Sequence, residues 1–259
     1  MSYEANVFII AIALQINHLT FFELKPYGKL YLIPNFLADD NPQNFLAEMV
    51  RQSVNHIRHF IVESEKEGRA LIKRLQIITP QSELRLWLLN EHSDEKSVHH
   101  LLEALKDGHD AGLMSDAGLP CVADPGYELV SLCHQKNIEI IPLPGTSSIF
   151  MALMGSGFSG QNFVFHGYLP IEKAQRIKKL KEIEADAFKK QQTQIFMETP
   201  YRNMPLLEDI LRNCKSLTKL CIASNISAAE QFIKTKTIRE WQQQKPDLHK
   251  KPSIFLIAV

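Results

Sequence analysis

The residues with the clearest chemical potential stand in one loop, at positions 115–126. A short apolar run leads into this loop, which contains Asp116, Gly118 and Pro120. Turn-forming residues leave backbone N–H groups exposed, and at the carboxyl edge of a parallel sheet such groups hold ligands in open α/β folds. Gly118 also allows a ligand to approach the backbone closely. This pattern predicts a ligand-binding loop directly after a strand.

A second loop of the same kind stands at 142–148. It follows the apolar run 139–142, contains Pro144 and Gly145, and leads into an apolar stretch of helical character at 149–154. Two strand–loop–helix edges in one fold could form a single cleft. Most turns of a parallel sheet bind nothing, however, so the spacing alone leaves a purely structural role open for both loops.

Four short motifs add a more specific signal. They are Ser-Asp-Ala-Gly-Leu-Pro at 115–120 with Asp-Pro-Gly-Tyr at 124–127, Pro-Leu-Pro-Gly at 142–145, Phe-His-Gly-Tyr-Leu-Pro at 165–170, and Glu-Thr-Pro-Tyr-Arg at 198–202. In order and spacing, this set resembles the tetrapyrrole-methylase family of S-adenosylmethionine-dependent methyltransferases, and within it the branch that methylates a ribose of small-subunit ribosomal RNA. Weaker matches at 30–34 and 90–93 extend the resemblance over residues 29–259.

The resemblance implies a two-lobed α/β fold of the class III methyltransferase type. The N-terminal lobe would contain a parallel sheet and the C-terminal lobe a mixed sheet. Residues 29–141 would form the first lobe and residues 142–259 the second, with the cofactor in the cleft between them. Residues 1–28, which precede the resemblance, would be either an N-terminal extension or the result of an overextended start site. In the first half of the chain, predicted strands alternate with predicted helices, which by itself indicates parallel βαβ units.

The implied cofactor is S-adenosylmethionine, and the implied chemistry needs no metal. Methyl transfer from a sulfonium is an in-line displacement, so the protein has mainly to align the reactants and exclude water. The residues implied to bind the cofactor are Asp116, Ala117, Gly118, Pro120, Gly145, Thr146, Ser147, Met197, Ala223, Pro252, Ser253 and Ile254. For Met197, Ala223 and Ile254, plain core packing is the open alternative. For Asp116 the alternative is a role in forming the turn.

The implied acceptor is a ribose hydroxyl, whose pKa is high. A base or an oriented hydrogen-bond acceptor would help such a hydroxyl to react. The candidate catalytic residues are Glu91, His92, Glu198 and Arg202. Arg202 could bind an RNA phosphate or simply pair with Glu198. Apart from the resemblance, His92 is a histidine in a polar surface loop.

The chain departs from the family pattern on the acceptor side. The family's Gly-Asn-Leu loop after the first strand is replaced by Phe-Leu-Ala-Asp-Asp at 36–40, and two further family motifs are altered at 63–66 and 224–228. The cofactor loops are retained. Two alternatives to ribosomal RNA methylation therefore stay open: a methyltransferase of a tetrapyrrole-like or other small molecule, and a noncatalytic paralogue that binds the cofactor.

Charge is divided between the two halves of the chain, although the formal net charge is zero. Residues 1–141 hold 12 Lys and Arg against 19 Asp and Glu, whereas residues 142–259 hold 17 against 10. A basic second half suits an RNA-facing surface, and a solvated helix face is the alternative. The densest basic cluster consists of Lys173, Arg176, Lys178, Lys179, Lys181, Lys189 and Lys190. RNA is therefore the expected partner, and the resemblance indicates small-subunit ribosomal RNA.

Composition places the chain among globular proteins, with 45% hydrophobic and 22% charged residues. The apolar run 7–14 is shorter than the ~20 residues that span a bilayer, and no Lys or Arg precedes it as in a signal peptide. The four cysteines form no Cys-x-x-Cys pair, so neither a zinc site nor a redox motif is indicated. We expect a cytoplasmic protein with reduced thiols, without membrane or metal, and by the resemblance a homodimer.

Hydrophobic periodicity predicts the elements that must position the two loops. Strands are predicted at 29–34, 59–63, 84–89, 111–115, 139–142, 162–168, 194–198, 219–224 and 253–258, and helices at 42–57, 66–75, 97–105, 149–154, 173–190 and 203–213, with another through Leu129 and Leu132. The stretch Gly155–Gly160 matches the dinucleotide-binding pattern G-x-G-x-x-G. It follows a helical segment and precedes a strand, which is the wrong context for that function.

Overall fold

The computed structural model describes residues 27–38, 48–90 and 92–258, which form two α/β lobes with one five-stranded sheet each. The first sheet contains β1 (Leu30–Ile33), β2 (His59–Val62), β3 (Arg85–Leu88), β4 (Ala111–Met114) and β5 (Ile140–Pro142), all parallel, in the order β3-β2-β4-β1-β5. The second contains β6 (Phe163–Tyr168), β7 (Thr193–Glu198), β8 (Lys219–Ser224), β9 (Phe232–Thr237) and β10 (Ser253–Ala258), in the order β6-β7-β10-β8-β9. Here β6 and β7 are parallel and the other pairs antiparallel. The predicted fold, with a parallel sheet in the first lobe and a mixed sheet in the second, is confirmed.

Helices cover both faces of the first sheet, which explains why its central strands are mostly apolar. One face packs against α1 (Glu48–Val54) and α2 (Glu65–Arg74). The other packs against α3 (Glu95–His100), the 3₁₀ segment Leu101–Gly108 and α4 (Tyr127–Gln135). Because successive side chains of a strand point to opposite faces, Leu113 of β4 belongs to the second layer and Met114 to the first.

The second sheet is also covered on both faces. The helix α5 (Ser148–Ser156) packs on one face, and α6 (Lys173–Lys190), α7 (Asn203–Asn213) and α8 (Ile238–Gln243) pack on the other. On the face that packs against α6, α7 and α8, the rings of Phe196 and Phe255 stack with their centroids 5.9 Å apart. The buried Trp241 of α8 donates its indole N–H to the Leu220 carbonyl oxygen at 2.9 Å, which fixes α8 against β8.

Arg176 does not belong to the exposed basic cluster in which the sequence placed it. Its side chain is 9% exposed, and its Nε and Nη2 donate to Asp209 Oδ2 at 2.9 and 2.6 Å. Nη1 donates to the Ile171 carbonyl oxygen at 2.7 Å. The guanidinium therefore joins α6 to α7 and to the preceding loop, and only the lysines of the cluster remain for an RNA-facing surface.

Two elements were not predicted, and two predicted helices have different bounds. β9 and α8 were not predicted at all. The helix expected at 42–57 is described as α1, Glu48–Val54, and so ends three residues earlier than expected, while positions 42–47 lie outside the described residues. The helix expected at 97–105 begins earlier, since Asp94 caps it by accepting the Ser97 N–H at 2.8 Å, and it tightens into the 3₁₀ segment after His100.

Within the described part of the chain, no helix has the length and apolar character needed to cross a membrane. The apolar run 7–14 lies outside the described residues, as do residues 1–26 of the proposed N-terminal extension. All four cysteines are free, and burial raises the pKa of the Cys133 thiol to about 11. A thiol with so high a pKa is a poor nucleophile at neutral pH.

Candidate functional site

The strand order of the first sheet creates a crevice between β1 and β4. The chain leaves β1 toward β2 and leaves β4 toward β5, in opposite directions, although β1 and β4 are neighbours. Ligands of open α/β sheets bind at such a switch point, outside the carboxyl ends of the strands. Residues 34–38 follow β1 and the loop 115–126 follows β4, so the loop that the sequence singled out lies at this crevice.

Asn35 braces the crevice and was not selected from the sequence. Its side-chain amide donates to the carbonyl oxygens of Ser115 and Asp116 at 2.9 and 2.8 Å, and its backbone N–H donates to the Gly118 carbonyl oxygen at 2.7 Å. Asn35 is 7% exposed. The available signal was a polar residue directly after the first strand, but its partners depend on the pairing of β1 with β4.

The loop 115–126 is held in an uncommon backbone conformation. Gly118 has φ +74°, and the non-glycine residues Cys121 and Ala123 have φ values of 66° and 64°. Ser115 Oγ lies 2.7 Å from both the Ala117 carbonyl oxygen and Asp124 Oδ2, and it accepts the Ala117 N–H at 3.1 Å. Left-handed non-glycine residues cost about 1–3 kcal/mol each and persist where the surroundings over-determine them, often at functional sites.

Three carboxyl groups gather beside this loop. Glu63, at the end of β2, accepts the backbone N–H of Asp116 at 3.1 Å. Burial raises the pKa of Glu63 to about 7, and burial also raises the pKa of Asp116 and of Asp124 above their usual values. When ionised, the group supplies a negative potential at the mouth of the crevice, which suits a cationic ligand.

The second predicted loop packs directly against the first. A Cβ on Gly145 would lie only 2.1 Å from Pro34 Cβ, so a side chain does not fit there. The Thr146 carbonyl oxygen lies 3.8 Å from the position that a Cβ of Gly118 would occupy. Ser147, 8% exposed, then leads into α5. The structure thus brings the two predicted loops together at one edge of the first sheet.

The C-terminal sheet contributes the apolar floor of the site. In the register of β7, β10 and β8, Ile254 pairs with Met197 on one side and with Ala223 on the other. The three side chains therefore lie side by side and belong to one apolar cluster, which Leu37 of the first lobe joins. Since Met197 is partly exposed, this cluster is core on one side and open to the cleft on the other.

Between the loops and this floor lies a cavity of about 490 Å³. Its size falls within the range of ~300–1,000 Å³ typical of small-molecule sites. The cofactor candidates that line it are Ala117, Met197, Ala223, Pro252, Ser253 and Ile254. Leu37, Tyr168 and Asn225 also line it and were not selected from the sequence, although Tyr168 stands within a quoted motif.

The remaining cofactor candidates lie around this cavity rather than in it. Asp116 lines an adjoining cavity of about 350 Å³. Gly118 and Ser147 line a hollow of about 120 Å³ that shares Ala117 and Met197 with the main cavity. Pro120, Gly145 and Thr146 line none of these three spaces and support the loops from behind.

Glu198 is the catalytic candidate that the structure places in the cavity. Its side chain is 1% exposed, and Oε1 accepts the Thr199 N–H at 2.7 Å and Arg202 Nε and Nη2 at 3.0 and 2.7 Å. Oε2 is buried without a hydrogen-bond partner among the described residues. A buried, unpaired carboxylate oxygen is costly, so a ligand hydroxyl or amino group that donates to Oε2 would be favoured.

Of the other catalytic candidates, Arg202 pairs with Glu198, and His92 lies away from the cavity. Glu91 lies outside the described residues. His92 is exposed in the loop after β3, its backbone N–H donates to Asn90 Oδ1 at 3.0 Å, and it does not line the cavity. In the sheet, β2 separates β3 from β4. Arg202 is held by Glu198 while its side chain stays 32% exposed, so pairing does not remove it from solvent.

The cavity has features that a sulfonium nucleoside such as S-adenosylmethionine needs. Met197, Ala223 and Ile254 form an apolar slot of the kind that accepts an adenine ring. The unpaired Oε2 of Glu198 can accept a hydrogen bond, and the acidic group beside Asp116 suits a positive charge.

Known proteins match the chain in sequence and in fold. The sequence-family model of the tetrapyrrole (corrin/porphyrin) methylases matches residues 45–242 of this chain. The ribosomal RNA small subunit methyltransferase I of Haemophilus influenzae is 32% identical over 172 residues, which are 65% of this chain and 59% of that protein. The protein of the same name from Buchnera aphidicola subsp. Schizaphis graminum is 30% identical over 237 residues, covering 90% and 79%. The chain thus spans less than two thirds of the Haemophilus relative.

Solved structures show the same fold at low sequence identity. The methyltransferase CobJ superposes with a TM-score of 0.60 at 16% identity, covering 89% of this chain and 94% of that one. A uroporphyrin-III-C-methyltransferase from Thermus thermophilus superposes with a TM-score of 0.52 at 14% identity, with the same coverage. Identity this low carries the architecture of two lobes and a cleft, and nothing finer.

Proposed function

This chain belongs to the tetrapyrrole methylase family, and from that premise we propose that it is an S-adenosylmethionine-dependent methyltransferase that 2′-O-methylates a ribose of small-subunit ribosomal RNA. The observation that carries the proposal is the cavity between the switch-point loops and the apolar floor of β7, β8 and β10. The names of the relatives support ribosomal RNA as the substrate, and the basic C-terminal half supports it independently.

The chain's own residues bind and orient the reactants. When bound, S-adenosylmethionine supplies an activated methyl group on a sulfonium. Met197, Ala223 and Ile254 would hold the adenine, and backbone N–H groups of the loop 115–126 would hold the carboxylate end. Asp116 and its neighbouring carboxyl groups favour the positive sulfur. The largely apolar lining of the cavity would limit access of water to the transfer.

Glu198 orients the acceptor hydroxyl in this proposal. Its Oε2 accepts a hydrogen bond from that hydroxyl, and Arg202 holds the carboxylate in place. The exposed part of Arg202 contacts a phosphate of the RNA. His92, in the loop after β3, is proposed to contact RNA farther from the reacting atoms, and its sequence neighbour Glu91 is proposed to contact RNA as well.

Calorimetric titration with S-adenosylmethionine tests the cofactor assignment first. Ala117 is exposed and lines the cavity, so Ala117→Phe fills the site without disturbing the core. We expect micromolar binding to the wild type and at least a tenfold loss in Ala117→Phe, while Ala174→Phe on the exposed start of α6 binds normally. Equal binding by all three proteins would contradict the site.

Methyl transfer from labelled S-adenosylmethionine to small-subunit ribosomal RNA tests the acceptor. Incorporation into a ribose supports the proposal. Cofactor binding without transfer to RNA would favour the noncatalytic paralogue, and transfer to a tetrapyrrole would favour the small-molecule enzyme. We further propose that the protein acts in the cytoplasm as a homodimer and without a metal ion.

A further inference from the structure

A second cationic surface lies on β9, outside the cleft. Lys234 and Lys236 of β9, with Lys245 after α8, surround a hollow of about 280 Å³ whose floor includes Phe232 and Trp241. We call Lys234, Lys236 and Lys245 the lysine strip. β9 is an edge strand, because among the described residues it pairs only with β8. The strip therefore lies at the margin of the second lobe.

The alternation of β9 directs the lysines to one face. Ile233 packs in the cluster beneath α5, and Thr235 Oγ1 donates to the Ser156 carbonyl oxygen at 2.6 Å. Because successive side chains point to opposite faces, Phe232, Lys234 and Lys236 point away from α5, toward α8. Side chains two residues apart on a strand are separated by ~6.7 Å, so the two lysines form a spaced row.

The charge of the strip is not neutralised locally. No acidic residue lines the hollow, and none of the three lysines forms an ion pair within the described part of the chain. Lys236 Nζ lies 4.9 Å from the centroid of the Trp241 ring. The carboxylate of Glu240 also acts on Lys236, but it is already bound by the N–H and Oγ1 of Thr237 at 2.7 and 2.6 Å.

The strip begins next to the proposed cofactor cavity. Phe232 pairs with Ser224, which directly follows the cavity residue Ala223. Asn225 and Glu230, in the connection between β8 and β9, also line the cavity. A chain that leaves the cavity over this connection passes around the end of β8 to the opposite face of the sheet, where it reaches Phe232 first and the lysines next.

We propose that the lysine strip binds the backbone phosphates of single-stranded RNA that flanks the nucleotide held in the cleft, an inference that rests on the proposed function. A basic row beside an aromatic ring is the arrangement that binds single strands, with lysines on the phosphates and a base on the ring. Phe232 is 36% exposed and offers that ring. Trp241, 2% exposed, supports the strip from below.

Fluorescence anisotropy with a labelled single-stranded RNA of about 12 nucleotides tests the strip, since sites of this kind cover ~4–16 nucleotides. The variant Lys234→Glu with Lys245→Glu reverses two charges at exposed positions. The matched control, Lys96→Glu with Lys136→Glu, makes the same charge change on exposed positions of the first lobe. Calorimetry with S-adenosylmethionine shows that each protein is folded and keeps its cleft.

We expect the strip variant to bind RNA at least tenfold more weakly at low salt than the control. Its log–log salt dependence should be flatter by ~1.4, the contribution of two lysine contacts to a single strand. Cofactor binding should be unchanged. Phe232→Leu, which keeps the bulk but removes the ring, should lose about tenfold in RNA affinity at all salt concentrations, as base stacking on an aromatic ring is worth ~1–3 kcal/mol.

Three results would overturn the inference. Equal RNA affinity and salt dependence in the strip variant and the control would exclude RNA binding by the lysine strip and leave the proposed function intact. Failure of the wild type to bind any RNA would exclude both the strip's role and the proposed function. Displacement of the RNA by polyglutamate of equal charge, with equal affinity, would identify an acidic protein as the partner instead.

Discussion

Glu63 couples the stability of the cofactor loop to pH. Burial raises the pKa of its carboxyl from 4.5 to about 7. Between these values the folded protein holds a proton that the unfolded chain has released, so stability falls as pH rises through that window and then levels off. Glu63→Gln removes the titration and keeps an oxygen that accepts the Asp116 N–H. We expect the variant to melt a few °C above the wild type at pH 8, with the gain largely gone at pH 5.

Thermal melts of both proteins at the two pH values measure this difference. A gain of equal size at pH 5 and pH 8 would contradict the titration of Glu63 and point to a charge-independent effect. Because the side chain is only partly buried, solvent screening limits the gain to less than the full pKa difference would give.

Substitution of Asp116 distinguishes a role in cofactor binding from a role in forming the turn. Its backbone N–H and carbonyl oxygen are held by Glu63 and Asn35, whereas its side chain is free to face the adjoining cavity. Asp116→Ala should therefore keep the melting temperature within about 2 °C and weaken S-adenosylmethionine binding about tenfold, the loss of one charged contact. Glu182→Ala, at an exposed position of α6, removes one acidic charge elsewhere and is the control. An Asp116→Ala protein that binds the cofactor normally would exclude a direct contact.

At the scale of residues, the sequence predicted the loops of the site better than the side-chain contacts within it. The motif at 115–120 and the floor residues Met197, Ala223 and Ile254 came from the resemblance, and the structure brings them around one cavity. Asn35 was missed because its role exists only once β1 pairs with β4, 80 positions away along the chain. Single-sequence patterns carry no such long-range register.

At the scale of elements, the periodicity of apolar residues predicted strands, whereas the alternation of mostly polar residues in β9 did not reveal a strand. Every strand of the two sheets that has a buried face was expected, but β9 was not. Its sequence, Phe-Ile-Lys-Thr-Lys-Thr, has one core residue, Ile233, because an edge strand needs little apolar surface on its outer face. The pairing of β9 with β8 stabilises this strand, and the composition of β9 alone does not indicate that pairing.

The joint between α6 and α7 rests on a buried ion pair. Arg176 and Asp209 have side chains only 9% and 5% exposed. Removing one partner leaves the other charged and unpaired, so Asp209→Ala should lower the free energy of unfolding by about 3–5 kcal/mol. Asp186→Ala breaks the exposed pair with Lys190 and should lower the free energy of unfolding far less, because solvent screens that pair. Urea unfolding measures both, and similar values for the two variants would refute the importance of burial.

At the scale of the whole molecule, the two lobes divide the work of the proposed function. The acidic first half holds the switch-point loops, and the basic second half holds the floor of the cleft, the lysines of α6 and the lysine strip. A cationic sulfonium and an anionic RNA would then meet surfaces of opposite sign on either side of the cavity. The sequence showed this division as a difference in charge between two segments, but only the fold shows that both segments border one cleft.

The helix α5 predicts how the proposed homodimer forms. Its sequence is apolar all round, yet it covers the second sheet with one side only. Phe150 and Met154, one turn apart on the other side, are 49% and 83% exposed. A helix apolar on every side is normally buried, and an exposed apolar patch marks an interaction surface. A second copy that covers this face would bury both side chains.

Light scattering after size exclusion tests this arrangement. The wild type should elute near twice the chain mass of 29.6 kDa. Phe150→Glu with Met154→Glu places two charges in the interface and should halve the mass, because buried unpaired charges are not tolerated. Phe188→Glu, on a 62% exposed ring of α6, is the matched control and should leave a dimer. If the α5 variant stays dimeric, another face joins the copies, and if the wild type is monomeric, the exposed face of α5 requires a different partner.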